Sequence, residues 1–459
     1  MKSLMRLPSL FLVGASLLAA LPAVAQINDG KPDPEFAVPQ GLDLPYALGF
    51  ALDNNFAIRQ AKERIRQQEG IVLEVRSAQI PNVGAAAGYS RNADEISSNG
   101  RDHNWSVNIT ARQVLYAGGG VRAGVEAQKL SLDAAVLTLR AVINDVLLEV
   151  RTRFYTVLVN RERIKVQEQN TELLQRQLQD VKNRFEAGTV SNFEVLRAEV
   201  ALANAQPALI TARNDYRLAI EELRQSLGFV NTSTENVAKV PDFIGTLDFK
   251  PVDYDLRSAL VSAREKRPDL QRLAKIEAAA EQGIIAQRSN YLPTVSAYGA
   301  YDWRMNSTGS SSLSNARDGW TVGLSSSWDI FDGRATAGRV AQARSQLELA
   351  KLAVAQAQLD VDVDVRRAIS TYQQATELAE ASKKVVEQAE EAVRLANARF
   401  GAGTATQLDV LTSQVDLTTA RLNQLQAYYS YNVAVANVRR AMGLGDELTP
   451  AGELPWPAR

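Results

Sequence analysis

The chain has 459 residues, a formal net charge of −1 and 46% hydrophobic residues. That is enough apolar content for a core, and there is no basic excess that would point to nucleic acid as a partner. With no cysteine and one histidine, His103, the chain has no disulfide, no thiolate metal site and no lipidated N-terminal cysteine, and few groups for catalytic or cofactor chemistry.

The first segment, residues 1–25, pairs a short basic stretch, "MKSLMR", with the apolar run "LPSLFLVGASLLAAL" and the small-residue site "AVA" before Gln26. This pattern predicts a secretory signal peptide cut after Ala25. No later run approaches 18 consecutive apolar residues, so no membrane-spanning helix is expected. Length alone suggests about three domains, but an internal repeat overrides that arithmetic. "RFEAGTVSNFEVL" begins at Arg184 and "RFGAGTATQLDVL" at Arg399. Around this phrase the halves align at an offset of 215, and nearer the N-terminus at 212, where Pro81 meets Pro293 and Tyr89 meets Tyr301. The expected organisation is therefore a first repeat over 26–240, a second over 241–446 and a tail over 447–459.

Each repeat starts with helix and continues into strand. "ALDNNFAIRQAK" in the first repeat matches "AREKRPDLQRLA" in the second. The segments after Pro81 and Pro293 predict strands over about 81–92 and 293–304. Strict alternation predicts two more, over about 104–116 and 319–331. In the first of these Trp105, Val107 and Ile109 share one face, and Ser106 and Asn108 the other. Polar loops join the strands of each pair. Segments of 10–13 residues can cross a bilayer at a tilt. The apolar face is expected to meet lipid, with Trp105, Trp303, Trp320 and Trp328 forming an aromatic girdle beside Tyr89 and Tyr301. Four strands cannot close, and open edges are not tolerated in lipid. The expectation is that three chains complete one twelve-stranded barrel with a Ser, Thr, Asn and Gly lumen.

The strands lead into long helices. "AGGG" at Ala117 reads as a strand-to-helix turn and not a phosphate loop, since no Gly-Lys-Ser/Thr follows. From Val121 to Glu186 the helix would reach about 100 Å. Leu174, Leu178, Val181 and Phe185, mirrored by Ala389, Val393, Ala396 and Phe400, are spaced 4, 3, 4 as in a coiled-coil seam. Gly188 and Gly403 can end these helices in the left-handed conformation. The following Ser or Thr can cap the next helix, with Glu194 and Asp409 in its first turn. Pro207, whose mate is Leu422, predicts a kink in the first repeat only. "DVDVDVRR" from Asp360 reads as an ion-pair face and not a metal site, and His103 as a surface residue of a polar loop.

Taken together, the tandem halves, the Pro-started strands, "LYAGG" and "IFDGR" before long helices, and the paired tips resemble the TolC-type outer-membrane efflux protein family, over essentially the whole chain after residue 25. The missing cysteine fits its unlipidated branch. The resemblance implies a mainly α fold with a transmembrane β-barrel. It implies a homotrimer whose antiparallel coiled-coil helices form a periplasmic tunnel. It also implies a passive exit duct without enzymatic activity or cofactor, serving efflux or type I secretion with a periplasmic adaptor and an inner-membrane transporter. By position, Gly188, Thr189, Gly403 and Thr404, flanked by Arg184 and Arg399, match the tip that meets the adaptor. Asp409, with Glu194 and position 412, matches the periplasmic entrance constriction. Three positions depart from the family pattern. Thr412 stands where a second acid would fall, Ala405 where a base would fall, and Phe400 where an aromatic hydroxyl would fall. A different reading of the residues is an exported structural coiled coil or adhesin without a lumen, and the sequence names no substrate.

Overall fold

The computed structural model describes residues 41–93, 103–229, 241–307 and 316–445. The expected signal peptide, the centres of both polar strand loops and the tail over 447–459 lie outside the described residues. Gly41–Phe229 and the chain from Asp242 form one unit, to which the following description applies.

The elements in chain order are β1 (Gly41–Leu42), α1 (Leu44–Asn54), α2 (Phe56–Arg76), β2 (Asn82–Arg91), β3 (His103–Ala117), α3 (Gly120–Glu186), α4 (Asn192–Leu227), β4 (Asp242–Phe243), α5 (Leu256–Lys266), α6 (Pro268–Arg288), β5 (Thr294–Ser307), β6 (Ala316–Ser327), α7 (Ala335–Gly401) and α8 (Gln407–Ala441). The duplication is visible in the element bounds. α1 and α2 recur as α5 and α6 at an offset of 212, and α3 recurs as α7 at 215, both 67 residues long. Local chemistry repeats as well. Asp43 caps α1 by accepting the Tyr46 N–H, and Asp255 caps α5 by accepting that of Ser258.

At 1.5 Å per residue α3 and α7 each extend about 100 Å. Each runs beside its partner, α4 or α8, with small residues at the contact. Two apolar clusters hold the helices. One gathers Ile58, Ile65, Val150, Phe154, Val157 and Leu223, and the other Val361, Val365, Ile369, Tyr372, Tyr431 and Val438. The alanines buried beside them, among them Ala259, Ala263 and Ala379, let the helix backbones approach closely. α4 runs unbroken through Pro207, so the proline does not end it.

The crossing between halves carries two different anchors. β4 pairs in parallel with β1, and Phe243 packs edge-on against Phe154 and Tyr216. Arg161 donates to the Phe243 carbonyl at 2.5 Å and to that of Gly245 at 2.9 Å. From Phe249 onward the chain joins the second cluster, where the Tyr372 hydroxyl bonds the backbone of Val252 and Tyr431 donates to the Lys250 carbonyl. The first half's core therefore extends to Leu247.

The four long strands form one antiparallel sheet in the order β2-β3-β5-β6, so the halves join at β3–β5 and both edges are open. Pairing Ile109 with Tyr301 and Asn108 with Asp302 keeps the two faces distinct. A bulge between Val114 and Tyr116 shifts the register near the helices.

Two expectations are corrected. β6 stops at Ser327 instead of continuing to 331, because its neighbour β5 begins at Thr294, opposite Ser327, just after Pro293. Trp328 consequently lies past the strand, where its indole N–H donates to the Tyr291 carbonyl at 3.1 Å. His103 is not an isolated loop residue. It opens β3 opposite Arg91, and its Nδ1 lies 2.9 Å from the Tyr89 hydroxyl.

Candidate functional site: the helix tips and the open sheet

At the end of α3 the chain must stop one helix and start another within a few residues. Gly188 takes φ +74°, which closes the helix as a Schellman turn. The Gly188 N–H bonds the Phe185 carbonyl and the Thr189 N–H bonds that of Arg184, both at 2.9 Å. Thr189 adds its hydroxyl to the same Arg184 carbonyl at 2.9 Å. The second tip repeats every contact. Gly403 has φ +74°, its N–H meets the Phe400 carbonyl, and both the N–H and the hydroxyl of Thr404 reach the Arg399 carbonyl. The Gly-Thr part of the repeated phrase is thus a helix stop that satisfies carbonyls otherwise left bare.

The side chains of the phrase do something else. The Arg184 guanidinium lies 5.0 Å from the centroid of the Phe400 ring and also pairs with Asp180 at 3.0 Å. The tip of the first half thereby touches the tip of the second, through an attraction of about 0.5–1 kcal/mol at an exposed site. Phe400 is held by its ring face. Sequence spacing gave no signal for this contact, because the partners are 216 positions apart.

The starts of α4 and α8 differ. Thr406 and Asp409 form a full capping box. The Asp409 carboxylate accepts the Thr406 N–H at 2.7 Å and its hydroxyl at 2.8 Å, while Thr406 Oγ1 accepts the Asp409 N–H. These bonds from Thr406, with Arg399 nearby, hold the Asp409 carboxyl below its usual range. Asp409 is exposed, but its charge is turned back on its own helix start. Ser191, at the equivalent place in the first half, makes no side-chain cap. Its companion Glu194 is half-buried and lies 3.7 Å from Arg197. Thr412 is exposed. Gln407 and Gln414, not singled out in the sequence, are buried beside these positions, with amide atoms that find no partner within the chain.

At the opposite end of the helices lies the sheet. One face carries Trp105, Val107, Ile109, Tyr301, Trp320, Val322 and Leu324, all exposed. The other carries Ser106, Asn108, Thr110, Arg112, Ser296, Asp302 and Thr321, and Asn108 donates to Asp302 at 2.7 Å. A soluble protein does not leave so continuous an apolar face to water. The strands of 10 to 15 residues span about 33–50 Å, enough to cross a bilayer at the usual barrel tilt. The tryptophans fall at two levels. Trp105, Trp303 and Trp320 sit within a few residues of one another near the strand loops, while Trp328 sits at the helix end with exposed Ile330 and Phe331.

Asp360, Asp362 and Asp364 belong to the helix scaffold. Arg264 grips Asp362 through two bonds of 2.6 and 3.1 Å and holds its carboxyl below the usual range, and Arg267 reaches Asp364 at 3.4 Å. No metal-holding group of His, Cys, Asp and Glu occurs among the described residues, and no helix among them is long and apolar enough to cross a membrane.

The family model described as "Outer membrane efflux protein" matches residues 47–229 and 259–444. Protein CyaE of Bordetella pertussis is 28% identical over 416 residues, covering 90% of this chain and 84% of that protein. Outer membrane protein TolC of Escherichia coli is 25% identical over 392 residues, covering 82% and 77%. Among solved structures, the Campylobacter jejuni CmeC outer membrane channel superposes with a TM-score of 0.77 at 15% identity, over 88% of this chain and 86% of that one.

Proposed function

Because the chain belongs to the outer membrane efflux protein family, we propose that it works as the outer-membrane exit duct of a tripartite efflux or type I secretion system. Its location is the outer membrane of a Gram-negative-type envelope, with the helices in the periplasm. The observation that carries this reading is the union in one chain of a four-stranded sheet, apolar on one face and unpaired at both edges, with helices about 100 Å long. A barrel in lipid has to close, and three chains would close one of twelve strands around a polar lumen. A passive duct requires no catalytic group. Cargo would be chosen by the inner-membrane transporter and periplasmic adaptor.

In this reading the tips, with Gly188, Thr189, Gly403, Thr404, Arg184 and Arg399, meet the adaptor. Glu194, Asp409 and Thr412 stand around the periplasmic mouth, and the tryptophans anchor the sheet in outer-membrane lipid. The two repeats, 26–240 and 241–446, each supply one helical hairpin and one strand pair. Purified protein in a planar bilayer should open stable ion-conducting channels. An exported coiled coil or adhesin would open none, and that result would end the proposal. Asp409→Asn keeps an acceptor for the Thr406 N–H and removes the charge, so reduced cation selectivity with intact assembly is expected. Unchanged selectivity would remove Asp409 from the constriction. For the sheet, Ile109→Lys should cost about 2–4 kcal/mol near the midplane, whereas Asn108→Lys, facing Asp302, should be mild. Equal losses would reject the face assignment.

A further inference from the structure

The polar face of the sheet, which the proposed duct turns towards its lumen, carries an uneven charge. Strand pairing puts four charged residues on it: Arg112 on β3, Asp302 and Arg304 on β5, and Arg317 on β6. Arg91, His103 and Asp318 fall on the apolar face instead. Three arginines against one aspartate leave an excess of positive charge on the polar face of each chain. Two of the arginines are direct neighbours. Arg304 and Arg317 stand opposite each other in the β5–β6 register, which brings their β-carbons to about 5 Å. Like charges so placed repel and weaken a sheet. The fold does not demand the pair, because the repeat mates of these positions are Asn92 and Asp102.

The neighbours of the pair do not neutralise it. Arg304 donates to Asp302 at 3.3 Å, but to the oxygen that already accepts from Asn108 at 2.7 Å. The Arg304 side chain stays 70% exposed. Arg317 is exposed and makes no ion pair among the described residues. Residues 308–315, between β5 and β6, include no charged side chain. The ground beside the pair is clear. The same row across the sheet continues through Ser106 to Gly88, and the next row inward holds Gly319 and Ala86. Arg112 lies six residues or about 20 Å deeper along the strands, too far to share a small ligand with the other two.

We infer that Arg304 and Arg317 form an anion site just inside the exterior end of the lumen, suited to a compact oxyanion with several charges, of the polyphosphate class. The row lies beside the strand loops, at the end of the sheet away from the helices. Each guanidinium presents a planar fork of N–H donors that matches phosphate oxygens two at a time. An oxyanion between the two forks replaces their repulsion with a shared attraction. Copies of the chain around one lumen set further pairs at the same depth. The exterior end then concentrates anions, whereas Glu194 and Asp409 at the proposed periplasmic mouth carry the opposite sign, so the two ends of the duct attract opposite ions.

Tripolyphosphate is a suitable probe, and its binding to the purified full-length protein in detergent decides the matter. At about 0.1 M salt, where charges are screened over about 10 Å, the unsubstituted protein should bind it. Arg304→Gln combined with Arg317→Gln should weaken binding at least about ten-fold, since charged hydrogen-bond partners are lost. Arg112→Gln, about two screening lengths away, should change it by less than about two-fold. The double variant removes a repulsion, so without the probe it should unfold at a temperature no lower than the unsubstituted protein. With the probe only the unsubstituted protein should gain heat stability. No binding to the unsubstituted protein, or equal binding to the double variant, would overturn the inference. Arginines already neutralised by Asp94, Glu95 or Asp102 of the other strand loop would give the first of these results. The placement inside a lumen rests on the reading of the chain as a duct, which channel conductance tests separately. A protein that conducts but binds equally with and without the two arginines sinks the anion site alone. A protein that binds and never conducts sinks the duct, and with it the placement in a lumen.

Discussion

Gly188 and Gly403 at the tips have φ +74°, and Gly228 and Gly443 at the roots of the same helix pairs have φ +73° and +70°. All four close their helices with the same Schellman pattern, in which an arginine carbonyl (Arg184, Arg399, Arg224 or Arg439) accepts the last N–H. What surrounds them is opposite. A β-carbon at Gly228 would stand 2.5 Å from the Asn54 carbonyl oxygen, and one at Gly443 would stand 2.8 Å from the Arg267 nitrogen. At either tip it would meet nothing within 4 Å. The roots are further tied by Asn55 donating to the Ser226 carbonyl at 2.7 Å and Ser262 to that of Met442 at 3.2 Å. One backbone motif therefore serves two purposes. At the root it lets two backbones touch and locks the hairpin to its half. At the tip it only turns the chain and leaves the surface open.

The largest expected effect tests the root. Gly228→Ala and Gly443→Ala combine left-handed strain with overpacking against backbone that cannot swing away, a cost of about 2–4 kcal/mol each. Thermal unfolding of the assembled protein should show both as strongly destabilised. Gly188→Ala and Gly403→Ala should cost only the left-handed penalty, about 1 kcal/mol each, with assembly retained. If a tip variant fell as far as a root variant, the tip would be a packed structure and the contrast would fail.

The tips and the long helices were legible in the sequence because they rest on local rules. The expected helix from Val121 to Glu186 begins one residue late and ends where α3 ends. The alternating faces of β3 and β6 and the positive φ of both tip glycines follow from period and residue type. The roots were not legible as locks, since "LG" and "MG" carry no sign of Asn54 or Lys266 lying against them. The early end of β6 was hidden for a related reason. Trp328 and Ile330 continue the alternation of β6, but β5 begins at Thr294, opposite Ser327, and offers them no partner. Asp409 could be placed in a first turn from sequence, but its direction depends on Thr406 supplying both an N–H and a hydroxyl. Arg184 on Phe400 required the tertiary fold.

A finer contrast lies between the two tips. Thr406 caps α8 and Ser191 does not cap α4. Thr406→Ala should therefore weaken the second tip by about 1 kcal/mol, read as roughly five-fold faster amide exchange in the first turn of α8. Ser191→Ala should change exchange in the first turn of α4 by much less. Equal changes would mean that Ser191 caps its helix in solution and that the tips are equivalent.

The smallest effect is a pH dependence confined to the second tip. The Asp409 carboxyl is held below its ordinary value of 3.8 by the bonds from Thr406, with Arg399 adding to the effect. A carboxyl lowered by folding contributes stability that is fully present above its unfolded value and is lost as pH falls through its folded value. The window therefore begins near pH 4 and extends below it, and nothing should change between pH 5 and 8 from this source. Protonation leaves the Thr406 N–H facing a weaker acceptor, so the start of α8 should fray in acid while the start of α4 has no such bond to lose. Limited proteolysis at the tips from pH 5 down to pH 3 reads this directly. Cleavage near Thr406 should rise relative to cleavage near Ser191, and Asp409→Asn should abolish the pH dependence of that ratio because an amide in the same place does not titrate. A ratio that still climbs in the Asp409→Asn protein would assign the acid sensitivity to another group and leave the capping box without a measurable share in it.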